Sequence, residues 1–245
     1  MTRWRAACSH LGISLAIAGA VAAIVYFVWY PPPYFSVAGG SKLMLLILAV
    51  DVVIGPCLTL AVFRAGKKGL GFDLSVIALL QLVAFCYGIS VIAEARPIFV
   101  VAAVDRFNVV SANQITDEDL ALGNAPEFKE RSWSGPRLVG ATAPKDKTFE
   151  LAESASSGRD IEKIPQYYVP FEQVAETLFA HAKPLAELND RLPQTADQIS
   201  HFAAEHGESV DGLLYVPLKG RLESATMVLS AKTKRPIGAL DINPW

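Results

Sequence analysis

Three apolar runs crowd the first 93 residues of this chain, and each is long enough to cross a bilayer. Leu11–Tyr30 holds twenty residues without a charge. A helix rising about 1.5 Å per residue covers the ~30 Å hydrocarbon layer in about that length. Leu43–Phe63 is apolar apart from Asp51 and Thr59, and in Leu74–Ala93 the polar interruptions are Ser75, Gln81 and Ser90. A secretory signal is the rival reading of the first run, since Arg3 and Arg5 form a basic start and Ala18-Gly19-Ala20 offers a small-residue cleavage pattern. Signal cores run only ~7–15 residues, and this stretch continues well beyond that, which predicts an uncleaved span.

Cationic flanks set the direction of the crossings. Arg3 and Arg5 precede the first span, and Arg64, Lys67 and Lys68 fill the loop between the second and third. Cationic loops stay in the cytoplasm, so the start of the chain and the 64–73 loop face inward. Three crossings then place everything after Arg96-Pro97 outside. Residues 1–96 form a membrane domain with spans at about 11–30, 43–63 and 74–93. Residues 97–245 form an outer domain of ordinary size.

Charge is shared unevenly between the two. Up to residue 93 the acids are Asp51 and Asp73, against six Lys and Arg. The formal net charge of −2 therefore makes the outer domain acidic. With 52% hydrophobic and 19% charged residues, against about 25% charged in soluble domains, the chain is neither a purely soluble enzyme nor a disordered tail. An acidic outer domain without a basic stripe excludes nucleic acid as a partner. Cys8, Cys57 and Cys86 all fall in or beside the membrane part. A cysteine-free outer domain is compatible with an oxidising compartment, and the three thiols have no ligand or redox spacing.

Asp51 is the most informative single residue. A carboxylate near mid-bilayer costs ~2.5–3.5 kcal/mol on insertion scales, so it must face protein. Asp51, Gly55 and Thr59 recur every fourth position and share a helix face, and Gly55-Pro56 permits close approach of a neighbour. Counting helix rise puts Tyr87 of the third span at the depth of Asp51, with Gln81 deeper, near Pro56. Two readings compete. One is a self-satisfied hairpin with Asp51 held by Tyr87 or Gln81, which the spacing alone favours. The other is a contact face for a partner's membrane helix, formed by Asp51, Gly55, Pro56, Thr59, Gln81 and Tyr87. A proton relay is poorly supported, because no second acid or histidine falls within a span. Gly12, Ala16 and Ala20 repeat at the small-residue spacing of close helix pairs, although alanine is common in such runs. Tyr30-Pro31-Pro32-Pro33-Tyr34-Phe35 predicts an extended polyproline connection. Its aromatics suit the membrane–water boundary, so Tyr30, Pro33, Tyr34 and Phe35 read as an interfacial anchor, joined by Arg96 and by the Asp105-Arg106 pair.

The outer domain reads as α+β with a mainly antiparallel sheet. Ile98–Val104 is a buried strand, with Phe107–Val110 extending or pairing with it. Thr116–Leu122 is a short helix capped by Thr116, residues 124–165 are irregular, and Arg137–Ala141 is a strand. Phe171, Val174, Leu178, Leu185 and Leu188 lie on one helical stripe that Pro184 must kink or split. Thr195 and Gln198 form a capping box for a helix that Gly207 ends. Leu213–Leu218, Thr226–Ala231 and Ile237–Ile242 are strands, the last two hairpinned about Lys232–Pro236. No nucleophile elbow, metal-binding spacing or phosphate loop is present, so no catalytic residue, metal or cofactor is assigned. His181, His201 and His206 read as surface or cap residues.

Several strings go further. Pro33-Tyr34-Phe35 with Gly39-Gly40, Asp51-Val52-Val53-Ile54-Gly55-Pro56 with Leu58-Thr59-Leu60, and Asp73-Leu74-Ser75 with Gln81 come first. Tyr87-Gly88, Ala95-Arg96-Pro97, Asp105-Arg106-Phe107 and the closing Gly238-Ala239-Leu240-Asp241-Ile242-Asn243-Pro244-Trp245 follow. In this order they resemble the type IV pilin accessory proteins of the TfpX/TfpZ kind, most densely over residues 31–110. The resemblance implies a non-enzymatic protein of the Gram-negative inner membrane that helps one major pilin assemble into pili. Its partners would be that pilin and pilus assembly platform proteins. A membrane-tethered sensor or small-ligand-binding module is the alternative. If the topology is right, a reporter active only outside the cytosol, fused after Trp245, should be active. A fusion active only in the cytosol would reverse it.

Overall fold

The computed structural model describes residues 2–144, 147 and 158–245. Three helices long and apolar enough to cross a membrane come first: α1 (Arg3–Trp29), α2 (Gly40–Val62) and α3 (Leu70–Ala95). Each overruns its apolar stretch. α1 begins at Arg3 because the Thr2 hydroxyl accepts from the Arg5 backbone N–H, relieving one of the unpaired donors of the first turn. α1 ends in a wider π-type turn at Val25–Trp29.

The triple-proline connection is not extended. Pro33 leads into a short helix at Tyr34–Val37, and the segment folds back onto the outer domain. Apolar contact outweighs the local proline preference here, because Tyr30, Val37 and Ala38 bury almost completely.

From Pro97 the chain builds a sheet of eight strands: β1 (Pro97–Ala103), β2 (Arg106–Ser111), β3 (Arg137–Ala141), β4 (Tyr168–Val169), β5 (Lys183–Pro184), β6 (Leu213–Lys219), β7 (Ser224–Ser230) and β8 (Arg235–Leu240). Their order is β4-β3-β1-β2-β6-β7-β8, with β5 paired to β6. The sheet is mixed. β1–β3 and β2–β6 run parallel, alongside antiparallel pairings such as β1–β2 and β6–β7. Hairpins carry a local signal and parallel pairs do not, so the two parallel pairings are the part of the sheet the sequence leaves out. Among the described residues four helices accompany it: α4 (Asp117–Ala121), α5 (Ala175–His181), α6 (Leu185–Arg191) and α7 (Ala196–Glu205). Thr116 caps α4 as expected, accepting from the Asp119 N–H. Pro184, in β5, splits the predicted stripe into α5 and α6. Thr195 does not cap α7; its hydroxyl donates instead to the Leu192 carbonyl of the preceding turn. The irregular stretch 124–165 falls partly outside the described residues, and the rest carries β3 and short 3-10 turns at Pro126–Phe128 and Ile161–Lys163.

β1 is buried along its whole length, and its side chains alternate between two cores. Phe99 and Val101 join Val110, Phe128, Val139 and Tyr168 on one face. Val100 and Ala102 join Phe107, Val109, Leu218, Met227 and Leu229 on the other. That second core also contains Val25, Tyr30, Val37, Met44 and Ile92. The outer ends of the long helices are therefore part of the sheet domain's own interior. A third cluster, around Leu188, Ile199, Leu213 and Val228, seats α6 and α7.

Contact between the helix connection and the sheet is closest at Gly220, in the β6–β7 turn. A Cβ there would lie 2.2 Å from the Val37 carbonyl oxygen, a backbone atom that cannot swing aside. Gly220→Ala should cost about 1–3 kcal/mol as an overpacking change, read as a lower melting temperature of the detergent-solubilised protein. Gly212→Ala, whose Cβ would meet nothing nearer than Ser209 Oγ at 3.4 Å, should melt like wild type.

Candidate functional site

Pro56 shapes the middle of α2. It has no N–H to offer the Val52 carbonyl, and its ring crowds that carbonyl. The helix responds by widening into a π-type turn over Ala49–Ile54, and Asp51 sits inside the widened turn. Asp51, Gly55, Pro56 and Thr59 are all buried. Asp51 lies midway between Gly40 and Val62. At Gly55 a Cβ would fall 1.9 Å from Gln81 Nε2, so with glycine here the Gln81 side chain of α3 can lie directly against α2.

Both α1 and α3 pack along α2. Between them lies a cleft of about 230 Å³ lined by His10, Ser14 and Ala18 of α1, Asp51 of α2, and Gln81 and Phe85 of α3. His10 Nδ1 and Thr59 Oγ1 are hydrogen-bonded at 2.6 Å, the donor being set by the imidazole tautomer. Asp51 is 8% exposed. Its Oδ2 is enclosed and has no hydrogen-bond partner among the described residues.

This corrects the hairpin that the spacing favours. Gln81 covers Gly55 without bonding to Asp51, and Tyr87 is 72% exposed. Helix rise matches Tyr87 to Asp51 in depth, but six residues at ~100° each carry it about 120° around α3 from Gln81. His10 is the residue missed. The apolar run starts at Leu11, so no histidine is expected within a span, yet α1 starts at Arg3 and includes it. Its signal is present: His10, Ser14 and Ala18 recur at four-residue spacing. Gly12, Ala16 and Ala20, the expected small-residue stripe, are exposed.

The anchor residues fall in two places. Tyr30 is fully buried, and its hydroxyl donates to the Ile92 carbonyl at 2.8 Å. Phe35 packs edge-on against Tyr26 and Tyr30. Pro33 and Tyr34 are half-buried, and burial pushes the Tyr34 hydroxyl up to about 12. Arg96 is buried too. Its Nε donates to the Ser132 carbonyl, Nη1 donates to the Ala93 carbonyl, and the guanidinium lies 3.7 Å from the centre of the Trp133 ring. These side chains face the interior of the junction between helices and sheet.

Asp105 and Arg106 lie elsewhere. They form the turn from β1 to β2, one strand length from the end of α3, or roughly 20 Å at ~3.3 Å per residue. The expected salt bridge forms, with Arg106 Nε donating to Asp105 Oδ1 at 2.7 Å and Nη2 to Oδ2 at 3.1 Å. That hydrogen bonding holds the Asp105 carboxyl below its ordinary value. A strand leaving the helix end carries the pair away from the position expected for a lipid anchor. Next to it, burial raises the Glu162 carboxyl. Among the described residues no group of three or more His, Cys, Asp or Glu is placed to hold a metal ion.

Comparison with known proteins adds the following. The family model "Fimbrial assembly protein FimB" matches residues 1–39. The fimbrial assembly protein of Dichelobacter nodosus serogroup I is 33% identical over 247 residues, covering 96% of this chain and 93% of the relative. That of serogroup E1 is 31% identical over 241 residues with the same coverage. That of serogroups C1 and C2 is 39% identical over 113 residues, 45% of this chain and 86% of the relative. No solved structure matches.

The packing of α1 on α2 can be tested directly. With Cys8, Cys57 and Cys86 replaced by serine, the double substitution His10→Cys and Thr59→Cys should form an intramolecular disulfide under mild oxidation. Gly12→Cys paired with Thr59→Cys should not. Equal cross-linking of both pairs would contradict the helix register described here.

Proposed function

The chain belongs to the fimbrial assembly protein family, and on that premise we propose that it is a non-enzymatic accessory of the bacterial inner membrane that helps a cognate type IV pilin assemble into pili. Identity of 33% running across 96% of the chain carries this reading, because it takes in the long helices and the sheet domain alike. In this reading α1–α3 cross the bilayer with the start of the chain in the cytoplasm, and the sheet domain lies in the periplasm. The hydropathy of the three helices and the cations beside them support that arrangement. A pilin awaiting assembly is itself anchored by one apolar helix with a periplasmic head. An accessory with packed spans and an acidic outer domain can meet both parts. Of the Asp51–Gly55–Thr59 face, Gly55 and Thr59 are already covered by Gln81 and His10, so the pilin helix borders Asp51 in the cleft between α1 and α3, and the sheet domain touches the head.

Deleting the gene should lower surface pili and twitching several-fold while pilin level and processing stay normal. Restoration by the intact chain on a plasmid completes the test. Full piliation in the deletion strain would overturn the proposal, and so would loss of pilin itself.

A further inference from the structure

We propose that the cleft between α1 and α3 is the seat of a fourth transmembrane helix, supplied by a single-span protein and carrying a hydrogen-bond-donor side chain opposite Asp51. The inference rests on the membrane reading above and specifies the chemistry of what occupies the face described there.

The first argument is the unpaired carboxylate. Asp51 lies at the middle of α2, 92% buried, with an enclosed oxygen that nothing in the chain satisfies among the described residues. Asp51 also lines the cleft, so its carboxyl group can be reached only from there. In hydrocarbon there is no water to serve it, and unpaired polar atoms at that depth are costly. A lipid chain filling the cleft would bring no donor, so lipid cannot answer the need. The missing partner is a hydroxyl, amide or amine from another protein.

The second argument is the distribution of polarity around the helices. The other exposed faces of α1 and α3 carry Leu15, Ile24, Leu79, Leu80 and Val83, as a lipid-facing surface should. The cleft has a mostly apolar wall, with His10, Ser14, Asp51 and Gln81 from three helices among the residues that line it. Small side chains at Ser14, Ala18 and Ala78 line it, which lets an incoming backbone come close enough for its side chains to bond.

The third argument concerns the kind of partner. The cleft is a groove between two parallel helices, both packed on α2. A helix entering it must be free around most of its circumference. A second copy of this chain offers only helices already packed on their neighbours, whereas a single-span protein has no such encumbrance.

Photo-crosslinking amino acids at Ile17 and Leu82, which line the cleft, and at Leu15 and Leu80, which do not, provide the test in cells that make pili. The cleft positions should yield one discrete adduct with a single-span membrane protein, and the outer positions none. Asp51→Leu should cut the yield roughly tenfold, the equivalent of one net hydrogen bond. Asp51→Asn, which keeps an accepting oxygen, should retain most of it. The His10→Cys/Thr59→Cys disulfide, formed as readily in the Asp51→Leu background, shows that the bundle still folds. Equal adducts from both faces, an adduct between two copies of this chain, or full yield with Asp51→Leu would each overturn the proposal. A cleft adduct with unchanged piliation on gene deletion would sink the assembly role and leave the seat standing. Lost piliation with full Asp51→Leu yield would do the opposite.

Discussion

The outer fold depends on how α3 stops. Pro97 has no N–H, so the Ala93 carbonyl loses the partner that the next turn would have supplied. Arg96 donates to that carbonyl from its own side chain, and Tyr30 donates to the neighbouring Ile92 carbonyl. Among the described residues no carboxylate pairs with the guanidinium; backbone oxygens and the face of Trp133 take that place. Burial accordingly lowers its proton affinity, with the charge of Arg131 adding to the effect. With the last turn closed in this way, the Arg96 carbonyl is free to accept from Ala112 N–H. The chain thus enters β1 already paired to the end of β2, and β1 is flanked by β2 and β3 within the sheet.

Much of this architecture can be read from the residues alone, and the parts that cannot share a physical cause. The three long helices follow from unbroken apolar length. β1, β3 and the β7–β8 hairpin follow from apolar runs and turn residues, all local signals. The pairing of β2 with β6, by contrast, brings Phe107 to Leu218 and Asn108 to Lys219 across more than a hundred residues, and neither segment carries a mark of the other. Tyr30 and Arg96 misdirect for a different reason. An aromatic or a long cation beside a span has the same composition whether it meets lipid headgroups or a protein interior. Here the sheet lies close against the helix ends, and the interior takes them both.

The candidate site shows the same division more sharply. Its residues on α2 are legible, because Asp51 is too costly in hydrocarbon to be ignored and Gly55-Pro56 permits close approach on the same face. Their neighbours are not, because depth along a helix is fixed by counting whereas rotation about its axis is fixed by packing. Counting selects Tyr87. Packing keeps Gln81, which counting already places near Pro56, drops Tyr87 and adds His10, and the π-type turn before Pro56 alters the local rotation in a way that an ideal helix does not anticipate.

The two ends of the helical bundle are mechanically linked. The walls of the cleft, α1 and α3, are joined at their outer ends, where Tyr30 bonds to Ile92 and Trp29 packs on Trp133. Farther in, α1 is fixed to α2 through His10 and Thr59, and α3 is fixed by Gln81 against Gly55. Widening the cleft would break one of these contacts, and narrowing it would bury more of an already unpaired carboxylate. These contacts restrain the walls of the cleft before anything enters. Preorganisation of this kind lowers the free-energy cost of association. In a bilayer it counts for more than apolar area, because a helix leaving lipid for protein gains little from the hydrophobic effect. On the proposal made above, one occupant would differ from another in its polar contact with Asp51 and in the fit of small residues around it, a basis for selecting one partner among many equally apolar helices.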